Sequence, residues 1–158
     1  MNKFIETKNL FLIAVLISVF SYLESKTIFT CGASKGFTYM FSIDKFNNDS
    51  IKDGSFVLRK LDEKYEFGYI DSTKTFISAS EDGGIIEVME INNSIIIQIA
   101  YPAGALETYQ VYIPTKTMVW TKNRFIGGGF DNVKIMSSKC IFSEEVIEVP
   151  PNLNLGKR

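Results

Sequence analysis

Histidine is absent from the 158-residue chain, and this absence excludes more chemistry than any other. Histidine is the usual general base near neutral pH and the commonest protein ligand of zinc and copper. Its absence excludes Ser-His-Asp triads, Cys-His pairs and histidine-rich metal sites. We therefore predict no cofactor, and the sequence favours a protein without catalytic activity over an enzyme.

An excess of either charge is also lacking, because 17 basic residues stand against 18 acidic residues, for a net charge of −1. A nearly neutral chain has no long-range field that would attract nucleic-acid phosphates or anionic lipid. We therefore expect no nucleic-acid partner. Apolar residues make up 46% and charged residues 22% of the chain, which is typical of one globular domain rather than of a disordered protein.

Residues 1–21 have the layout of a secretory signal peptide. Lys3 and Lys8 precede an apolar run over residues 10–20, and Val19 and Ser21 are suitable residues just before a cleavage site. The predicted product is exported, to the periplasm or to the cell exterior. The alternative is an uncleaved membrane anchor over residues 10–23, which is short beside the roughly 20 residues of a spanning helix. Only in that case is a membrane a predicted partner.

Only two cysteines are present, Cys31 and Cys140. Two cysteines in an exported chain favour a disulfide, and the alternative is a pair of buried free thiols. The bridge would close a loop of about 110 residues, for which chain entropy gives a stabilisation of about 4–5 kcal/mol. We expect it to join the first strand to the last and so to close the domain at the seam, the line along which the two ends of its sheet meet.

The region after Thr27 consists of short runs in which apolar and polar residues alternate, separated by turn residues. This rhythm predicts an all-β fold: an antiparallel meander of about eight to ten short strands that closes as a small barrel or sandwich. The β-rich domain is predicted over residues 27–142. A loose C-terminal tail is predicted over residues 143–158, which contain two adjacent prolines and no sustained periodicity.

Several elements of this domain are predicted individually. Residues 28–31 and 36–42 are expected to be separate strands, followed by a polar loop over residues 44–53. A hairpin is expected to join residues 56–61 to residues 65–70.

Asp82-Gly83 predicts a second hairpin, between residues 75–80 and 85–91, because glycine accepts the positive φ that such turns need. Residues 95–99 are apolar on both faces apart from Gln98. They predict a strand that is covered on both sides or that lies at a tight bend.

Aromatic residues are abundant, with 7 tyrosines and 13 phenylalanines. Tyrosine suits strands in general, and it also suits binding surfaces where one end of the side chain is dry and the other is wet. The candidate binding residues are Tyr65, Tyr69, Tyr109 and the single tryptophan, Trp120. The predicted function is a non-catalytic domain that binds a small apolar ligand or a protein partner.

Two other functions remain open from the sequence. One is a carboxylate-dependent hydrolase, for which Glu81, Asp82 and Glu107 are the candidate residues, because a pair of carboxylates can supply an acid and a base. The other is a structural component of the cell envelope. The glycine run at residues 127–129 is predicted as a plain loop, because it lacks the lysine and hydroxyl of a phosphate-binding loop.

Overall fold

The computed structural model describes residues 25–124 and 132–143. The predicted signal segment 1–21, the glycine run 127–129 and the predicted tail from residue 144 lie outside these residues. Within them no helix has the length and apolar character needed to cross a membrane. The described elements are one 3-10 helix (Phe41–Ile43) and the strands β1 (Ser25–Met40), β2 (Lys45–Ile51), β3 (Ser55–Leu61), β4 (Lys64–Ile70), β5 (Phe76–Ser78), β6 (Ile85–Ile91), β7 (Ser94–Ala100), β8 (Ala105–Tyr112), β9 (Thr117–Arg124) and β10 (Asn132–Phe142).

All ten of these strands belong to one antiparallel sheet, which confirms the predicted all-β meander. The strand order is β5-β4-β3-β1-β10-β9-β8-β7-β6, and β2 also pairs with β1. In the described residues β5 and β6 form the two ends of this order and do not pair with each other. The expectation of a closed barrel or a sandwich is therefore wrong. The sheet is an open, curled half-barrel, and the three residues of β5 offer too few backbone groups to complete it.

The curl brings strands together that a flat sheet would keep far apart. Five inter-strand steps separate β4 from β8, which would be about 24 Å in a flat sheet. The rings of Phe67 on β4 and Tyr109 on β8 are nevertheless only 4.6 Å apart between centroids. The two ends of the sheet therefore face each other across the concave side.

The first strand is a single element of 16 residues, where the sequence suggested two strands. Its register against β10 shifts between Cys31 and Ser34, so a β-bulge bends the strand without ending it. The first half of β1 pairs with β3 and the second half with β2.

The prediction of a polar loop over residues 44–53 is wrong, because Lys45–Ile51 within that range forms strand β2. An edge strand with little buried surface needs no apolar alternation. Its polar residues therefore gave no sign of a strand.

The two predicted hairpins have different outcomes. The hairpin between β3 and β4 is confirmed, with Asp62 at a φ of 52° in its turn. The hairpin across Asp82-Gly83 is wrong, because β5 pairs with β4 and β6 pairs with β7. The turn exists, and Gly83 has a φ of 83°. It carries the chain from one end of the sheet to the other rather than between paired strands.

The hydrophobic core lies on the concave face. On β7 the side chains of Ile95, Ile97 and Ile99 are buried, whereas Ile96 and Gln98 on the convex side are half-buried. The expectation that this strand is covered on both sides is therefore only half met. The most deeply buried large side chains come from strands along most of the sheet: Phe29, Leu58, Phe67, Ile97, Val111 and Met118.

The predicted disulfide between Cys31 and Cys140 is present. The two residues lie directly opposite each other on β1 and β10, so the bridge does join the first strand to the last. Its expected place at the seam is wrong. Strands β1 and β10 are neighbours in the middle of the sheet, whereas the open seam lies between β5 and β6.

Candidate functional site

A pocket of about 370 Å³ opens on the concave face at the unclosed seam. It lies between β3, β4 and β5 at one end of the sheet and β7, β8 and β9 at the other. Its volume falls within the range of cavities that hold small ligands. The pocket therefore exists because the sheet curls without closing.

Four aromatic side chains form the floor of the pocket, namely Phe56, Phe67, Tyr109 and Trp120. The rings of Tyr109 and Trp120 are 5.7 Å apart, and that of Phe56 lies 5.6 Å from Trp120 and 5.4 Å from Tyr109. These spacings are those of packed aromatic pairs. The indole Nε1 of Trp120 donates a 3.2 Å hydrogen bond to the buried hydroxyl of Ser34. The floor is apolar, and its rings come from β3 and β4 on one side of the open seam and from β8 and β9 on the other.

Two half-buried tyrosines form part of the pocket wall. The hydroxyl of Tyr69 donates a 2.7 Å hydrogen bond to the backbone carbonyl of Asp53. Tyr101 follows the end of β7. Burial, and after it the negative charges of Glu107 and Asp82, raise the pKa of Tyr101 to about 12. The Tyr101 hydroxyl is therefore protonated at physiological pH.

A buried carboxylate and a lysine lie beside the aromatic floor. Glu107 is 4% exposed, and its two oxygens have different partners. Oε1 forms an ion pair with the Lys122 ammonium, and Oε2 accepts a 2.7 Å hydrogen bond from the Tyr109 hydroxyl. Burial, followed by the charge and hydrogen bond of Glu107, raises the pKa of Tyr109 well above its usual value. The buried charge is thus both paired and hydrogen-bonded, as a buried charge must be.

The pocket mouth carries a second carboxylate, that of Asp82. The turn that presents it is closed by hydrogen bonds from the Asp82 amide to the Ser78 carbonyl (3.1 Å) and from the Gly84 amide to the Ala79 carbonyl (2.7 Å). A Cβ at Gly84 would lie 2.7 Å from both the Ala79 carbonyl oxygen and the Ile99 side chain, so only glycine fits there. This turn fixes Asp82 at the rim of the pocket.

Glu107 and Lys122 begin a row of charged side chains, which continues along the concave face beyond the pocket. Lys134 lies directly opposite Lys122 on the neighbouring strand and forms a 2.7 Å ion pair with Asp49. The hydroxyl of Thr38 also donates to Asp49, at 2.6 Å. Hydrogen bonds from Lys134 and Thr38 hold the pKa of Asp49 below its usual value. Each lysine of the row thus has its own carboxylate.

The candidate binding residues fall in two places. Tyr69, Tyr109 and Trp120 all line the pocket. Tyr65 lies elsewhere, where its hydroxyl donates a 2.5 Å hydrogen bond to Glu90 across the gap between β4 and β6. The structure thus brings three of the four aromatic candidates together.

The candidate hydrolase carboxylates are also divided. Asp82 and Glu107 line the pocket, whereas Glu81 is not among its described lining residues. An acid–base pair needs a carboxyl group that can exchange a proton with a substrate. In this structure both oxygens of Glu107 are engaged, one by Lys122 and the other by Tyr109.

A scan of protein-family models finds none that matches this chain, and searches of curated proteins and of solved structures find no match either. Among residues 25–124 and 132–143, no group of three or more His, Cys, Asp or Glu side chains is placed to hold a metal ion.

Lys122 and Phe56 are site residues that the sequence reasoning missed. Strand periodicity contained a signal for Lys122, because residues two apart share a face and Lys122 follows Trp120 by two. The same rule places Glu107 beside Tyr109. No comparable signal identified Phe56, since its contact with Trp120 depends on the curl of the sheet.

A separate apolar patch lies outside the pocket, around the turn that connects β1 to β2. Tyr39 packs against Phe41 and Phe46, with ring centroids 4.8 and 4.7 Å apart. Phe46 is 67% exposed, and the adjacent Phe37 is 54% exposed. Exposed aromatic groups of this kind are a feature of contact surfaces.

Proposed function

We propose that this chain is an exported, non-catalytic binding domain that holds a small, largely apolar ligand in the pocket at the open seam. The observation that carries the proposal is the composition of the pocket: a floor of packed aromatic rings with a few convergent polar groups at one side. Sites for small ligands combine these same two features. The disulfide between Cys31 and Cys140 fits a protein that works in an oxidising compartment.

Trp120 makes the proposal directly testable, because it is the only tryptophan in the chain and it lines the pocket. The probe is N-phenyl-1-naphthylamine, a neutral apolar dye that accepts excitation energy from tryptophan. We expect saturable energy transfer from Trp120 to the dye in the native, oxidised protein. Absence of saturable transfer would contradict the proposal.

Two tyrosine variants locate the bound dye. Tyr101→Ala removes part of the pocket wall, and we expect it to weaken dye binding by about 3- to 10-fold, the value of one aromatic contact. Tyr112→Ala is the matched control, because Tyr112 is 45% exposed and is not among the described lining residues. Equal affinities in the two variants would place the dye outside the pocket.

Contact with a protein partner is a second candidate function, favoured by the exposed patch around Tyr39. Phe37→Ser and Phe46→Ser, made together, remove exposed apolar area while leaving the pocket residues unchanged. If the patch is a contact surface for a second copy of the chain, sedimentation velocity should show association of the native protein that the double variant lacks. A native protein that stays monomeric at high concentration would argue against self-association through this patch.

A further inference from the structure

The charged groups of the pocket do not balance. Among its described lining residues Asp82 and Glu107 are acidic and Lys122 is basic. The ammonium of Lys122 is already paired with Glu107. Asp82 therefore gives the lined volume a net charge of −1 at its mouth.

The aromatic rings of the floor and the wall add to the negative electrostatic potential of the pocket. The faces of tyrosine and tryptophan rings are negative and attract cations within about 6 Å of the ring centroid. Tyr69, Tyr101, Tyr109 and Trp120 all line the same volume as the two carboxylates.

The neighbouring carboxylates also make the electrostatic potential negative at one atom, the Tyr101 hydroxyl oxygen. The charges of Glu107 and Asp82 act together, after burial, to raise the pKa of Tyr101. A negative potential that disfavours loss of a proton at this hydroxyl favours a positively charged group beside it.

We propose that the ligand class of this pocket is an organic cation, an amine or quaternary ammonium group carried on an apolar or aromatic body. The ammonium group lies near Asp82 and Tyr101 at the mouth, and the apolar body rests on the floor formed by Phe56, Phe67, Tyr109 and Trp120. This inference rests on the proposed function, because it assigns a ligand class to the same pocket. An anionic ligand would meet two carboxylates and a lysine that is already engaged.

Three probes of nearly equal size separate the possibilities: 2-phenylethylamine (cationic), 2-phenylethanol (neutral) and phenylacetate (anionic). Their binding is measured by the change in Trp120 fluorescence and, independently, by displacement of N-phenyl-1-naphthylamine. We expect the amine to bind about 3- to 30-fold more tightly than the alcohol, the range of a cation–π contact with partial charge pairing. Phenylacetate should bind most weakly.

A matched pair of variants assigns the preference to Asp82. Asp82→Asn should reduce the ratio of amine to alcohol affinity by about threefold or more. Glu81→Gln removes the same charge from the neighbouring position, and we expect it to change the ratio by less than about twofold because Glu81 is not among the described lining residues.

The outcomes separate the two proposals. If the alcohol or phenylacetate binds as tightly as the amine, or if Glu81→Gln and Asp82→Asn act equally, the cation inference is wrong and the binding function stands. If none of the three probes binds and the dye also fails to bind, both proposals are wrong.

Discussion

At the scale of single residues, the ion pair between Glu107 and Lys122 is the most exacting feature of the pocket. Glu107 is almost fully buried, whereas the Lys122 side chain is 35% exposed. Removing one partner of a buried pair leaves an uncompensated charge, which destabilises a protein more than the intact pair stabilises it. The partial exposure of Lys122 reduces this penalty, because water screens and solvates the group.

We predict that Lys122→Met lowers the free energy of unfolding by about 1–3 kcal/mol, because it leaves the Glu107 carboxylate without its counter-ion. Glu107→Gln in the same chain should recover part of that loss, with a coupling energy of about 0.5–2 kcal/mol in the double-mutant cycle. Urea unfolding followed by Trp120 fluorescence measures all four proteins. A coupling energy of zero would mean that the pair does not act as a unit.

Much of this residue-level arrangement was accessible from the sequence. Tyr109, Trp120, Asp82 and Glu107 were all identified as candidates, and alternation along β8 and β9 places Lys122 and Glu107 on the inner face. What alternation does not supply is the partner across the concave side. The contact of Phe67 with Tyr109 depends on the accumulated curl of strands between them.

At the scale of elements, the open seam leaves β6 with one paired edge in the described residues. Free strand edges invite unwanted pairing, and proteins commonly shield them. Here β4 comes close to β6, and the Tyr65 hydroxyl donates to Glu90 across the gap. Because Tyr65 and Glu90 belong to the two halves of the curled sheet, this bond links the halves across the open seam.

We predict that Tyr65→Phe lowers the free energy of unfolding by about 0.5–1 kcal/mol, the value of one partly exposed hydrogen bond. Amide hydrogen exchange should quicken in β6 more than in β9, because β6 is the strand that loses its tie. Tyr112→Phe is the control, and we expect a change within about 0.5 kcal/mol for this exposed residue. Equal exchange in β6 before and after the Tyr65 substitution would contradict the role of the bond.

The same bond predicts a pH dependence with a definite sign. The hydrogen bond to Glu90, and after it burial, raise the pKa of Tyr65 to about 12. An unfolded tyrosine ionises near pH 10, so the folded chain holds this proton more tightly. The stability difference between native protein and Tyr65→Phe should therefore be constant below about pH 9 and shrink as the pH rises from about 10 to 12. Titration of urea unfolding over that range measures it.

The elements also show where sequence patterns stop being informative. Strands β3, β4, β6, β7 and β8 follow from alternation and turn residues. Within the runs β3-β4-β5 and β6-β7-β8-β9, each strand pairs with the next strand along the chain. The link between β5 and β6 carries the same kind of turn residues, but it joins the two ends of the sheet. A turn sequence reports a local change of direction, and it does not report which strands pair on either side.

At the scale of the whole molecule, the disulfide acts at the centre of the half-barrel and not at its opening. It joins residues 109 positions apart in the chain on strands that already pair side by side. A bridge at the seam would have closed the pocket that the open sheet creates. The central bridge instead fixes the first strand to the last and leaves the pocket at the open seam uncovered.

We predict that replacing both Cys31 and Cys140 by alanine lowers the free energy of unfolding by about 2–5 kcal/mol. Closing a loop of about 110 residues restricts the unfolded chain by about 4–5 kcal/mol, and removal of a native bridge commonly costs slightly less. Urea unfolding gives the measurement, with reductant as the internal control. Reductant should lower the midpoint of the native protein towards that of the double variant and leave the variant itself unchanged. Neither cysteine is among the described lining residues of the pocket, although Cys31 lies directly opposite Phe56 of its floor. The variant should therefore still bind N-phenyl-1-naphthylamine at urea concentrations where it is folded. Loss of dye binding in the folded variant would show that the pocket also depends on the central strands.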